Sequence, residues 1–350
     1  MKIWLTRLGF LAALGFVALT VVNASWLAKA PGGSVKLVAQ RGVAQVAHDT
    51  RLGPDNCTAA AIEPPLHDFI DNTGPSAKHA GILGMRLIEI DLAMTKDGDL
   101  AVFGDTSLDC RTDGSGPVGS KTMEELGALD AGYGYTADSG KTFPLRGKGV
   151  GAIRPLERFL QSVSSTNRLV FNFGSDDHTE ADLLATKLKL VGRDPEKRTD
   201  VFFGDAAPVA RIKEIYPEAW AFSPEAAKQC ASDYVLTGWT SFLPESCKGG
   251  TMIIPVDEQW KFWGWPNKLI ARMAEFGGTI IVSGPESAGE PIAGLTLPEQ
   301  LGDIPRDFNG YIWVDDTWAI APALYPSSDR RSKDEIAATN AALEKRRERQ

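Results

Sequence analysis

Two carboxylate side chains stand two residues apart in an otherwise apolar run, at Glu89 and Asp91. If the run is a β-strand, this spacing places both side chains on the same face of the strand. Buried charges need a partner or a metal ion, and hard cations such as Ca²⁺ and Mg²⁺ prefer oxygen ligands. The pair therefore predicts a site at which the two acids meet either a charged partner or a metal ion.

The chain beyond residue 35 alternates short β-branched or apolar runs with helical patterns. Nine strands are predicted, at residues 36–40, 87–93, 100–103, 168–173, 200–204, 219–223, 251–256, 279–283 and 311–314. Strands that alternate with helices indicate βαβ units around a parallel sheet. The number of strands favours an α/β fold of the TIM-type (β/α)8 barrel class. A doubly wound sheet is the alternative, but no glycine-rich dinucleotide loop follows the first predicted strand.

Two long segments interrupt this alternation. Residues 43–70 separate the first strand from its helix, and residues 106–152, rich in Gly, Asp and Thr, predict an insertion after the third strand. Residues 329–350 carry seven basic and five acidic side chains, which indicates a solvated helix or a disordered tail. The predicted barrel domain accordingly covers residues 31–328.

The N-terminal segment, residues 1–30, has the pattern of a targeting sequence. Basic residues precede an apolar stretch at residues 8–22, and small residues follow at Ala24 and Ser25. This stretch is typical of a secretory signal peptide. An apolar segment extended over residues 8–28 reaches the length of a membrane anchor. Both interpretations predict export, to the periplasm or the cell envelope, and the sequence does not choose between cleavage and a retained anchor.

The overall composition excludes some functions. The formal net charge is −8, which argues against a nucleic-acid partner because nucleic-acid binders show a basic face. Four cysteines are present, at Cys57, Cys110, Cys230 and Cys247. No two of them form a CxxC pair, so a zinc knuckle is not expected. In an exported chain an even number of cysteines predicts two disulfides, and three pairings are open.

Several motifs follow one another in a fixed order. They are Gln40-Arg41-Gly42, Asp71-Asn72-Thr73, Glu89-Ile90-Asp91, Thr95-Lys96-Asp97-Gly98, Leu108 to Gly114, Leu126 to Gly132 and Pro155-Leu156-Glu157. Over residues 36–325 this order resembles the glycerophosphodiester phosphodiesterase family. The segment Trp263 to Asn267 is similar to one group of its envelope-associated bacterial members. The resemblance implies a TIM-type barrel with its site at the carboxyl ends of the strands.

The resemblance also implies roles for particular residues. A divalent cation, Ca²⁺ or Mg²⁺, would be held by carboxylates at Glu89, Asp91 and Glu157. Arg41 and Asp71 would contact the phosphate or the rest of the substrate. The expected ligand is a small-molecule phosphodiester or a lysophospholipid. Related exported members have cysteines at similar places, which implies the disulfides Cys57–Cys110 and Cys230–Cys247.

The chain departs from the family at the residues that move protons. Gln40 and Gly104 stand where the family has its two catalytic histidines, and Gly174 stands where it has a phosphate-binding lysine. A glutamine side chain neither donates nor accepts a proton near neutral pH, and glycine has no side chain. Each general acid or base typically contributes about 10²–10⁴-fold. The sequence therefore predicts a phosphodiesterase-like protein with weak or no hydrolysis.

Two alternatives remain open. A working hydrolase would need a substitute acid or base, for which His178, Asp105 or Asp315 are the candidates; the other histidines, at positions 48, 67 and 79, are interpreted as structural or surface residues. An interaction module would have abandoned ligand binding, which the retained acids argue against. The aromatic run at residues 260–265 is interpreted as packing at the barrel rim, with contact to lipid as the alternative.

Overall fold

The computed structural model describes residues 2–47, 57–285 and 292–349. The strands are β1 (Lys36–Ala39), β2 (Leu87–Met94), β3 (Leu100–Val102), β4 (Arg168–Asn172), β5 (Val201–Phe203), β6 (Trp220–Phe222), β7 (Thr251–Pro255), β8 (Thr279–Ser283) and β9 (Tyr311–Val314). The helices are α1 (Lys2–Val22), α2 (Gly74–Ile82), α3 (Met123–Gly127), α4 (Leu156–Ser162), α5 (Thr179–Leu190), α6 (Pro195–Arg198), α7 (Ala206–Ile215), α8 (Pro224–Thr237), α9 (Asn267–Glu275), α10 (Thr317–Leu324) and α11 (Lys333–Arg347). Each of the nine predicted strands is confirmed, with its ends within one residue of the prediction.

The fold class is a TIM-type (β/α)8 barrel, as the sequence predicts, with eight parallel strands and helices between them. The ninth strand, β3, differs from the prediction. It pairs antiparallel with β2, with Leu92 opposite Val102, and lies off the path of the barrel strands. The long segment of residues 106–152 therefore follows a hairpin strand and not a strand of the barrel.

The chain divides into two compact units. The larger unit comprises Lys36–Pro224, Ser283–Leu301 and Ile312–Gln350. Within it the strands lie in the order β6-β5-β4-β2-β1-β9. The parallel register of β2 and β4 sets Asp91 beside Asn172, so two polar side chains lie together at the carboxyl ends of apolar strands.

The segment that follows β3 contributes most of one cluster of buried apolar residues. Phe103, Leu108, Leu126 and Tyr135 are buried together there, with Ile62 from the segment after β1. Of the long segment predicted at residues 43–70, residues 48–56 lie outside the described part. The predicted disulfide Cys57–Cys110 is confirmed, with its Cα atoms 5.1 Å apart. It ties the two long segments to each other.

The charged C-terminal segment forms a helix, α11, one face of which is packed into the larger unit. Thr339 and Leu343 are buried, and Trp318 Nε1 donates to Thr339 Oγ1 at 3.1 Å. The buried Arg346 guanidinium contacts Glu63 and Asp316, each at 2.8 Å. The prediction of a solvated helix thus describes only its outer face, because sequence alone did not show these distant acidic partners.

The smaller unit comprises Met1–Val35, Glu225–Val282 and Gly302–Tyr311, with neighbouring strands β7 and β8 and helices α1 and α9. The predicted disulfide Cys230–Cys247 is confirmed here, with Cα atoms 4.8 Å apart. Within the described residues, no helix combines the length and the apolar character needed to cross a membrane.

Candidate active site

The site is built on β2, where Glu89 and Asp91 are both buried, with 1% and 6% of their surfaces exposed. Asp91 is near enough to Glu89 to raise the pKa of that carboxyl through its charge and a side-chain hydrogen bond. The backbone N–H of Arg41 donates to Glu89 Oε2 at 2.8 Å, and Arg41 Nε lies 3.2 Å from Asp91 Oδ2. Asn72 Nδ2 and Asn172 Nδ2 donate to the two oxygens of Asp91, at 2.8 and 2.6 Å. We call these two acids the Glu89–Asp91 pair.

The electrostatics of the pair favour an added positive charge. Burial and the neighbouring charge of Asp91 raise the pKa of Glu89 well above its ordinary value, although Arg41 opposes the shift. Two carboxylates that share a buried site resist simultaneous ionisation. A cation, or a shared proton, relieves this repulsion.

The backbone beside the pair is held in an uncommon conformation. Arg41 and Asn72 both have left-handed φ angles, of +54° and +58°. The N–H of Asn72 donates to the carbonyl of Arg41 at 3.2 Å, which joins the two turns. Left-handed non-glycine residues store strain and occur often at functional sites. Here the conformation directs the Arg41 N–H and the Asn72 amide at the two acids.

Gln40 and Gly104, which the resemblance predicts to stand in place of two catalytic histidines, both lie near the pair. Gln40, at the end of β1, accepts a hydrogen bond from Trp313 Nε1 at 3.0 Å through its side-chain oxygen. A Cβ atom at Gly104 would overlap Asp91 Oδ2 and come within 3.0 Å of Asn72 Nδ2. Asp91 therefore fills the space in which a side chain at position 104 would begin.

The absence of a side chain at Gly174, beyond the end of β4, also has a steric cause. A Cβ atom there would overlap the backbone carbonyl oxygen of Leu92. Backbone atoms yield less readily than the end of a flexible side chain, so the local path of the chain excludes a lysine at this position. The described residues at this strand end place the amide of Asn172 in the site instead.

Asp71, which the sequence predicts at the substrate, lies in a different acidic group. Arg111 Nη1 donates to Asp71 Oδ1 at 3.1 Å, and Arg111 Nε donates to Asp105 Oδ2 at 2.8 Å. The same guanidinium donates to Tyr135 Oη at 2.6 Å and to Thr58 Oγ1 at 2.8 Å. Tyr135 also hydrogen-bonds Asp71. We call these five residues the Arg111 cluster.

The Arg111 cluster stabilises charged carboxylates. Burial by itself would raise the pKa of Asp71, but the charges of Arg111 and Arg41 and the hydrogen bond from Tyr135 outweigh it, so the pKa is lowered. Arg111 Nε also donates to both carboxyl oxygens of Asp105. No role is predicted from sequence for Arg111 or Tyr135, although Arg111 lies within one of the ordered motifs.

The described contacts of Glu157 are with a lysine and not with the Glu89–Asp91 pair. Glu157 lies in the first turn of α4 and accepts from Lys187 Nζ on α5 at 2.6 Å. Lys187 is shared with Asp99, also at 2.6 Å. The assignment of Glu157 as a third cation ligand stays a prediction. Across residues 2–47, 57–285 and 292–349, no group of three or more His, Cys, Asp or Glu side chains has a metal-binding arrangement.

A cavity of about 60 Å³ opens beside these residues. Its walls include Gln40, Arg41, Asp71, Arg111 and Asp315. Polar groups that converge on a pocket mark a ligand site. Arg41, with 23% of its side chain exposed, is the cation best placed to meet an anionic ligand.

No histidine of the described residues lines this cavity. His67 is packed against Phe69 and Trp318, and its Nδ1 lies 3.0 Å from Gln45 Nε2. His79 stacks on the same two aromatic rings. His178 is largely exposed, 3.8 Å from Asp177, and His48 lies outside the described residues.

Part of the chain that contains this site is similar to a known protein family. Residues 65–192 match the model of the glycerophosphoryl diester phosphodiesterase family. Over these residues the chain is similar to the family. The matched residues include Asp71, the Glu89–Asp91 pair, Gly104 and Glu157, whereas Gln40 and Arg41 precede them.

Sequence relatives and solved structures of phosphodiesterases extend the match. A glycerophosphodiester phosphodiesterase of Caldanaerobacter subterraneus subsp. tengcongensis is 45% identical over 65 residues, which cover 19% of this chain and 27% of the relative. The matches to the first curated relatives span less than half of their length. The phosphodiesterase domain of an uncharacterized Mycobacterium tuberculosis protein superposes with a TM-score of 0.58 at 15% identity, covering 84% of this chain and 99% of that domain.

One solved phosphodiesterase structure contains a ligand. An Oleispira antarctica phosphodiesterase, determined in complex with the product sn-glycerol-3-phosphate, superposes with a TM-score of 0.53 at 17% identity. It covers 83% of this chain and 96% of that structure. At such identities the superpositions of both phosphodiesterases establish the shared barrel fold.

Proposed function

We propose that this chain binds a divalent cation and a small glycerophosphodiester-type ligand at the Glu89–Asp91 pair, and that it hydrolyses the ligand weakly or not at all. The family domain supports a function connected with glycerophosphodiesters. The observation that carries the proposal is that two buried carboxyl groups, Glu89 and Asp91, lie beside Arg41. Gln40 and Gly104, by contrast, supply no group that titrates near neutral pH.

The donor set suits Mg²⁺ or Ca²⁺. Mg²⁺ is commonly held by one or two carboxylates, with water and substrate phosphate completing its coordination. Glu89 and Asp91 would supply those carboxylates, and the raised pKa of Glu89 indicates the charge repulsion that such an ion relieves. When bound, the ion would offset negative charge on the phosphate oxygens.

A phosphodiester suits the cavity because of Arg41. A guanidinium recognises phosphate oxygens through charge-assisted hydrogen bonds. The bound sn-glycerol-3-phosphate of the Oleispira antarctica enzyme supports a glycerophosphate moiety as the ligand's core. Glycerophosphodiesters and lysophospholipids both contain this moiety.

An active hydrolase is the second candidate, and one carboxyl group favours it. Asp315 lines the same cavity as Gln40 and Arg41. A carboxyl group at the wall of the cavity could exchange a proton with a bound ligand. Asp105 is a weaker candidate because Arg111 binds both of its oxygens. Asp315→Asn would abolish the turnover of such a hydrolase.

The deciding experiment measures hydrolysis of glycerophosphocholine, glycerophosphoethanolamine and a lysophospholipid in Mg²⁺ and in Ca²⁺. We expect turnover about three orders of magnitude or more below that of a histidine-bearing relative assayed in parallel. Robust turnover by the unmodified chain would contradict the proposal and select the active hydrolase.

Restoring the missing groups provides the matched test. We expect Gln40→His together with Gly104→His to raise hydrolysis measurably. Because a Cβ atom at position 104 would overlap Asp91 Oδ2, the double variant must displace Asp91, so its gain should be limited by weakened cation binding. The single Gln40→His variant keeps Asp91 in place and separates the two effects.

A further inference from the structure

The residues just after α1 are built into the smaller unit. Asn23 is buried, with 2% of its surface exposed. Its Nδ2 donates to the carbonyls of Leu19 and Trp239, both at 2.9 Å. Its Oδ1 accepts from Arg272 Nη2 at 2.6 Å and from Ser241 Oγ at 3.2 Å. One side chain thus joins the end of α1 to two other parts of this unit.

Arg272 on α9 depends on this contact. It is itself buried, and its Nη1 donates to Tyr234 Oη at 2.6 Å. Removing Asn23 would leave a buried guanidinium N–H without its acceptor, which is costly. Two residues further along, Ser25 Oγ accepts from the backbone N–H of Asn267 at the start of α9, at 3.0 Å. Cleavage after Ala24 would keep Ser25 but remove Asn23, and with it the acceptor of Arg272.

The helix that this contact holds is apolar and exposed around its circumference. Large side chains are more than half exposed at Leu8, Phe10, Leu11, Phe16 and Val17. A helix that is apolar on every side needs an apolar surrounding and not a single groove. The first 48 residues of the chain contain no Asp or Glu, so the only formal charges in α1 are positive.

Exposed indole rings of the same unit lie near the C-terminal end of α1. Trp26 and Trp260 are 77% and 81% exposed. Both line a groove of about 870 Å³, together with Phe16 of α1 and Trp263. Phe16 and Trp263 contact each other edge to face, with ring centroids 6.5 Å apart. Tryptophan is favoured at the interface between lipid and water.

We propose that α1 is retained in the folded protein and that α1, Trp26 and Trp260 form a surface that binds a lipid bilayer. The apolar side of a bilayer surface can take up the exposed side chains of α1 together with both indole rings, whereas a protein partner would cover one face of the helix. The purely basic charge of the N-terminal region complements anionic head groups. We call these elements the lipid-binding surface.

Vesicle flotation of the full-length chain tests the surface. The probe is phosphatidylcholine vesicles with and without phosphatidylglycerol. We expect the wild type to float with the vesicles, more strongly with the anionic lipid, and Trp26→Ala with Trp260→Ala to lower the partition coefficient about tenfold, since binding follows the apolar area buried. Leu190→Ala is the control, because Leu190 is 73% exposed on α5 in the larger unit and should leave binding unchanged.

A wild type that remains unbound, a double variant that binds like the wild type, or self-association through α1 without lipid binding would overturn the proposal. Retention is tested by intact mass after expression in a bacterium with an active secretion pathway. We expect the recovered folded chain to keep Asn23. A recovered chain that begins at Ser25 and is as resistant to unfolding as the uncleaved chain would refute retention.

Discussion

The larger unit contains two buried acidic groups that differ in the way their charge is balanced. In the Arg111 cluster one guanidinium lies between Asp71 and Asp105 and hydrogen-bonds both. In the Glu89–Asp91 pair the carboxyl groups lie against each other, and the pKa of Glu89 is raised while that of Asp71 is lowered. In the Arg111 cluster the negative charge is balanced by the protein itself. In the Glu89–Asp91 pair the repulsion between the carboxyl groups is left for a cation to reduce.

This difference separates a structural from a functional role for residues of the same type. Paired acids next to a buried arginine stabilise the site around them only while the arginine is present. Acids that repel each other destabilise the empty protein and are retained where a ligand uses them. Variants that exchange or remove these charges should therefore act in opposite directions in the two groups.

The largest expected effect is the loss of the buried guanidinium. Arg111→Met should lower the free energy of unfolding by about 3–5 kcal/mol, because it leaves the buried Asp71 carboxylate without its guanidinium partner and takes the same partner from the partly exposed Asp105. Denaturation by urea measures this. Arg41→Met is the matched control and should cost only about 1–2 kcal/mol, because Arg41 is more exposed than Arg111. Equal costs would remove the distinction between the two groups.

A titrating group elsewhere must be removed before the pH dependence of either acidic group can be read. Burial lowers the pKa of His67 to about 4, whereas an unfolded histidine titrates near 6.5. The unfolded chain therefore binds more protons between these values, so stability falls as pH drops through this window.

From pH 7 to pH 5, His67 should reduce the free energy of unfolding by about 2 kcal/mol. His67→Asn keeps an acceptor near Nδ1 for the N–H of Phe69 and cannot be protonated. Urea denaturation at both pH values should show a smaller loss in this variant. A wild-type and a variant profile of equal slope would show that His67 titrates normally.

Isosteric removal of one charge from each acidic group compares them most closely. Without added cation, Glu89→Gln should raise the free energy of unfolding at pH 7 by about 1 kcal/mol, because it removes a buried group that must either carry a repelled charge or take up a proton on folding, while the N–H of Arg41 keeps an acceptor. Asp71→Asn should lower it by about 1–2 kcal/mol, because Arg111 and Tyr135 lose a charged partner. Changes of the same sign in both variants would refute the difference in charge balance.

The sequence predicted the strands well because each is a short β-branched or apolar run with polar turns around it. It also predicted that Glu89 and Asp91 would lie together, since both lie on one strand. The partners of Asp71 are 40 and 64 positions away, at Arg111 and Tyr135, and no local pattern joins them. Such contacts depend on the path of the long segments.

Two other features also followed from the fold and not from local pattern. The contact of Glu157 with Lys187 depends on the packing of α4 beside α5. The burial of Arg346 depends on Glu63, 283 positions away. A run of charged residues predicts a solvated segment, because the sequence does not show which distant acidic side chains will contact its basic ones.

The most direct test of the central claim is the melting temperature of the protein titrated with Mg²⁺ and with Ca²⁺. At about a hundredfold excess over the Kd, the wild type and Asp71→Asn should each gain about 5 °C. Glu89→Gln and Asp91→Asn should gain nothing. A wild type whose melting temperature does not respond to either ion, or a Glu89→Gln variant that responds like the wild type, would contradict a cation site at the Glu89–Asp91 pair.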